Sequence, residues 1–239
     1  MWPIIQNEWH SLGRNRTLLG VSTVFVTVLL LSVVLGKQQA DERTTRYRAA
    51  QNQLRQQWEN LDPMHPHGAV HYGTYVFKPT TLLSGLDEGV SSVTGNVLRV
   101  EGHVQNELVH PETAQMQAAS KFGKLNGSLL LQYLVPLLLL FLSFQRVSSE
   151  KQSGRLKLLV LQGAKPSTLI WAKTLSVWLY GMALLTITIG AFAFMHRAGL
   201  DVEIALRTLL LYGCYALYYF IISGLTVLLS ARGQQATIA

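Results

Sequence analysis

The apolar positions of this chain gather into four long runs almost free of charge, separated by polar segments of very unequal length. A membrane-spanning helix needs about 20 mostly apolar residues. The runs over residues 18–36, 125–145, 168–195 and 208–231 all reach that length. Pro136 falls inside the second run and predicts a kink there. The first run follows Arg14 and Arg16, as the core of a secretory signal would. It is longer than such a core, however, and Gly36-Lys37-Gln38 offers no small-x-small cleavage site, so it reads as an anchor. The pattern predicts an all-α polytopic membrane protein with four visible transmembrane helices.

The polar segments predict the remaining parts. Residues 1–17 carry Trp2, Ile4, Ile5, Trp9 and Leu12 among polar neighbours, with Pro3 suited to a first helical turn. This is the pattern of an interfacial helix. Residues 37–124 form the one sizeable polar domain, small, mostly helical and loop-rich. A helix over 39–61, with Tyr47, Leu54 and Trp58 as its spaced apolar positions, continues the first span outward until Asp62-Pro63 breaks it. Prolines and glycines then punctuate the chain. Residues 97–104 alternate imperfectly, as a short strand or a turn would, and a helix over 111–122 leads back to the second span. Such a domain is too small for a large core, and pairing with a second copy would suit it.

Charge sets the orientation. Only 14% of residues are charged, against about 25% in an ordinary soluble domain, which argues for a membrane protein. The net charge of +7 forms no basic helix face interleaved with aromatics, so no nucleic-acid partner is expected; membrane lipid is. The loop over 146–167 holds Arg146, Lys151, Arg155, Lys157 and Lys165 against Glu150 alone. In the short loop over 196–207, Arg197 and Arg207 are offset by Asp201 and Glu203. The positive-inside rule then places the N-terminus and the 146–167 loop in the cytoplasm. Residues 37–124 and 196–207 lie outside a cell inner membrane.

Candidate chemistry is sparse. The lone Cys214 excludes an internal disulfide and a cysteine zinc site, and reads as a small buried hydrophobe. There is no Gly-x-x-x-x-Gly-Lys-Ser/Thr loop, no nucleophile elbow and no His-Glu-x-x-His, so no enzymatic activity is expected of this chain. No charge sits at mid-span to serve a proton relay. Two features remain. In the 146–167 loop, Ser148 or Ser149 can cap a short basic helix with Leu156, Leu159 and Val160 on one face and Gly163 as its stop. A partner could grip that element and move both attached spans; a loop merely resting on anionic lipid would need the same residues. In the polar domain, His65, His67, His71 and His103 could supply nitrogen ligands to zinc or copper, with Glu101 nearby. Alternatively, the Pro-His-Pro-His stretch builds a turn whose rings cap backbone groups.

The order Glu150, Ser153, Gly154, Leu156, Leu158, Leu159, followed by Lys173, resembles the coupling-helix region of ABC-2 type transporter permeases. Glu8-Trp9 with Arg14-Asn15-Arg16 is similar to the same family's lead-in helix. Pro66-His67, Ala69, His71, Gly73, Tyr75, Phe77-Lys78-Pro79, Leu86-Asp87, Gly89-Val90, Gly95, Glu101 and His103 resemble a subgroup with an uncharacterised extracytoplasmic domain between the first two spans. The resemblance implies a permease, usually an exporter, working as a homo- or heterodimer with a separate ABC ATP-binding subunit that holds ATP and magnesium. The named residues from Glu150 to Leu159 would touch that subunit, and no cofactor is expected in this chain. The family usually has six spans. Residues 232–239 resemble the start of a cytoplasmic loop or fifth span, so two more spans are expected. The alternatives are a MacB/FtsX-like force-transmitting subunit, whose layout is one span, an external domain and three spans, possessing a periplasmic partner, or a membrane receptor without an ATPase.

Overall fold

The computed structural model describes residues 1–79, 81–91, 96–103, 127–143, 150, 152–197 and 199–232. The chain forms two compact units, one of Met1–Leu31 with Leu129–Ala239 and one of Ser32–Ser128.

In the first unit, α1 (Trp2–Arg14) begins with Pro3 in its first turn and buries Ile5, Glu8 and Leu12 along one face. It stops at Asn15, whose side-chain oxygen accepts from the Thr17 and Leu18 amides and so caps the next helix. That helix, α2 (Arg16–Glu59), runs without interruption through both the apolar run and the polar continuation. At 1.5 Å per residue its 44 residues extend about 66 Å, roughly twice a hydrocarbon core.

Three further apolar helices complete this unit: α4 (Gly127–Ser143), α6 (Pro166–Met195) and α7 (Val202–Arg232). With α2, the helices α6 and α7 are long and apolar enough to cross a membrane, whereas the described part of α4 is shorter. The four full spans expected thus become three and a shorter apolar helix among the described residues. The ends of the expected second span, 125–126 and 144–145, lie outside them, as do the expected helix over 111–122 and the caps Ser148 and Ser149. The helix α7 starts at Val202, earlier than the apolar run, because Asp201 accepts from the Ile204 amide at 2.7 Å and Glu203 pairs with Arg207.

Just before Pro136, where a kink is expected, the helix carries a π-helical stretch over Leu130–Leu134. Proline has no N–H for the carbonyl four residues back, which is that of Gln132. The Tyr218 hydroxyl donates to that carbonyl at 3.0 Å, and the Tyr219 hydroxyl donates to Leu131 at 2.9 Å. Tyr219 is fully buried. Gly181 of α6 lets α4 and α7 close in: a Cβ there would lie 3.0 Å from Leu139 and 3.2 Å from Tyr219. The Trp178 indole donates to the Ala216 carbonyl at 2.8 Å, and Ser22 and Tyr180 share a 2.6 Å hydrogen bond between α2 and α6. Small and polar contacts of this kind are how helices hold together where the surroundings are themselves apolar. Cys214, expected buried, is exposed, while Tyr215 and Tyr219 of the same helix are buried.

The second unit corrects the all-α expectation. Strands β1 (Thr74–Phe77) and β2 (Val97–Val100) pair antiparallel, Thr74 opposite Val100 and Phe77 opposite Val97. Strand β1 was not legible, since four residues between Gly73 and Lys78-Pro79 give too short an alternation. The helix α3 (Pro66–Tyr72) precedes it, and a single 3-10 turn occupies Leu82–Gly85. Packing rests on Tyr47 against Phe77, Trp58 against Tyr72, the buried Leu86 and an Arg43–Glu88 ion pair. Gly36 and Gly85 touch so closely that a Cβ on Gly36 would collide with the Gly85 carbonyl.

Candidate functional site

The short helix α5 (Arg155–Leu161) fills part of the basic loop between α4 and α6. Gly154 precedes it at φ 73 with open space where a Cβ would stand, so glycine serves backbone conformation there rather than packing. Its end is a Schellman turn: Gly163 sits at φ 92, its amide donates to Val160, and the Ala164 amide donates to Leu159. The glycine stop expected at 163 is therefore present. The helix is shorter than the 150–163 stretch, because the left-handed Gly154 separates it from the helical residues at Glu150 and Gln152.

Leu156, half-buried, and Val160, 43% exposed, line a groove of about 180 Å³ with Pro166, Leu169, Ile170, Lys173 and Ala231. Leu159 is half-buried, while Leu158 and Leu161 stand out, 59% and 83% exposed. A seven-residue helix is not stable alone. Its inner face anchors it to α6 and its outer face leaves two leucines free.

Beneath α5 lies a buried ionic cluster. Lys173 of α6 is 2% exposed, and its ammonium meets Glu8 of α1 at 2.7 Å and Glu150 at 2.9 Å. Three chain segments, far apart in sequence, thus converge on one charge. Glu150 Oε2 is buried and has no hydrogen-bond partner among the described residues. An ammonium in a low-dielectric setting needs such partners, and removing Lys173 would leave both carboxylates uncompensated. Ser153 is exposed, its hydroxyl reaching the Glu150 carbonyl at 3.4 Å.

Of the residues singled out in the sequence, Glu150, Ser153, Gly154, Leu156, Leu158 and Leu159 lie on or beside α5, but with separate tasks. Glu150 faces inward to Lys173, Gly154 shapes the turn, and Leu158 presents to the surface. The ionic partnership of Glu8 with Lys173 was not foreseen. Its only signals were a glutamate on the apolar side of an amphipathic helix and a lysine within the first turns of an apolar run. In the other unit, His67, His71 and His103 come together, while His65 is turned to α3, its Nδ1 accepting from the His67 amide at 3.2 Å.

No curated protein and no solved structure matches the chain. The model of one family, described as ABC-2 family transporter protein, matches residues 2–237, from α1 through every membrane helix and the loop with the ionic cluster. With its apolar helices and so complete a match, the chain belongs to the ABC-2 family of transporter proteins.

Proposed function

We propose that this chain is the permease subunit of an ATP-driven exporter, and that α5 receives the stroke of a separate ATP-binding subunit. The observation that carries this reading is the Glu8–Lys173–Glu150 cluster directly behind α5. A push on α5 needs a stiff route into the spanning helices. The exposed Leu158 and Leu161, flanked by Arg155 and Lys157, supply an apolar contact with basic edges for a partner's cleft. Leu156 and Val160 share a groove with Leu169 and Ile170 of α6. Lys173 ties the start of that loop to both α6 and α1, so the three move together. Membership of the family implies the ATP-binding partner.

In the same reading the N-terminus and the α5 loop face the cytoplasm, because their arginines and lysines outnumber acids. Residues 37–124 stand outside. Two copies place their apolar spans on either side of a path, which suits lipids, peptides or hydrophobic small molecules better than simple ions. Tyr215 and Tyr219 clasp α4 and α7 rather than line that path, since both are buried within the unit.

The test is ATP hydrolysis by the purified complex in nanodiscs. Lys173→Met is expected to keep the ATP-binding subunit bound, because Leu158 and Leu161 are intact, while permease-dependent hydrolysis falls at least fivefold. Gly154→Trp, which forces a side chain onto left-handed backbone, is expected to lower it as well. Unchanged hydrolysis in both variants would overturn the proposal.

A further inference from the structure

We propose that His67, His71 and His103 form a binding site for one borderline divalent transition cation, zinc or copper(II), with a fourth coordination position open to an exchangeable ligand. The three imidazoles offer nitrogen atoms that all lie within 4.8 Å of one another. Those of His67 and His71 are already 3.3 Å apart. Two nitrogens bound to one tetrahedral zinc, each about 2.0–2.1 Å from it, stand roughly 3.3–3.4 Å apart. The ring centroids form a compact triangle with sides of 4.8, 5.6 and 5.2 Å. All three residues are exposed, so a cation reaches them directly.

The local fold builds this triangle. His67 and His71 are four residues apart on α3 and so share a face. The helix is held at its start by Pro66 and by the His65 ring. His103 comes from the far end of β2, brought over α3 by Gly102. The Gly102 amide donates to the Val70 carbonyl at 3.0 Å, and a Cβ on Gly102 would collide with the Val70 side chain. His103 itself has φ 61, and among the described residues it is the one non-glycine with positive φ. Such backbone costs energy and persists where the surroundings enforce it, often at a ligand site.

The donor set selects the ion. Three neutral imidazoles without a carboxylate suit zinc and copper(II) and do not suit calcium or magnesium, which require oxygen ligands. The nearby Glu101 is engaged with Arg99 at 2.9 Å. Sites with three protein ligands keep a position for water or another donor. His65 is excluded, because its Nδ1 caps α3.

The test uses the full chain, purified without a polyhistidine tag, stripped with chelator and titrated with zinc or copper(II) alone. One equivalent is expected to bind with micromolar or tighter Kd. His67→Ala, His71→Ala and His103→Ala should each weaken it at least tenfold. His65→Asn keeps a good helix cap and removes the imidazole; it should change affinity less than threefold. Copper(II) bound to the wild type should show hyperfine coupling to three nitrogens by electron paramagnetic resonance, a readout independent of variant folding. Absence of a micromolar equivalent, its survival in the triple alanine variant, or loss equal to the others in His65→Asn would overturn the assignment.

Discussion

Lys173 concentrates most of what single residues contribute here. Its ammonium is buried between two carboxylates, so Lys173→Met leaves Glu8 and Glu150 facing each other without a cation. Breaking a buried pair in this way costs on the order of 3–5 kcal/mol. A lower unfolding temperature in detergent is the expected outcome, with part of the loss recovered in the Glu8→Gln, Lys173→Met, Glu150→Gln triple variant. Recovery would show that the single variant fails through unpaired charge rather than lost volume. Tyr219→Phe is a finer test. It deprives the Leu131 carbonyl of its donor inside the packed helices and should cost about 1 kcal/mol, read by thermal unfolding. The sequence displayed Tyr219 and Lys173 openly. It could not display their partners, since Glu8 and Leu131 lie far along the chain from the groups they meet.

Elements were legible to the extent that their signals were local. The apolar runs, the Asp62-Pro63 stop, Pro136 and the Gly163 turn each act within a few residues, and each left its mark in the fold. Gly163→Ala places a Cβ on backbone at φ 92 and is expected to cost about 1–2 kcal/mol of local stability. The check is faster hydrogen exchange at the Leu159 to Ala164 amides, with the interior of α6 unchanged. Strand β1 escaped notice because a four-residue strand is defined by its partner, and β2 lies some twenty residues away. The setting of α5 was legible only in part, for a related reason. Helical spacing groups leucines but does not say which group meets α6; the groove under Leu156 and Val160 decides that.

For the whole molecule, membership in the ABC-2 transporter family rests on nearly the full chain, and the sequence motifs around Glu150 and Glu8 already pointed there. What no motif disclosed is that both converge on one buried lysine. That convergence makes α5 a lever in the proposed function, with Leu158 and Leu161 as its grip. The most direct measurement is an affinity pull-down from gently solubilised membranes, comparing the wild type with a Leu158→Asp, Leu161→Asp variant. Both positions are exposed, so the variant should insert and fold normally. The account predicts a stoichiometric ATP-binding subunit with the wild type, lost or reduced at least tenfold with the variant. An ATP-binding subunit retained equally by both, or absent from the wild type, would contradict it.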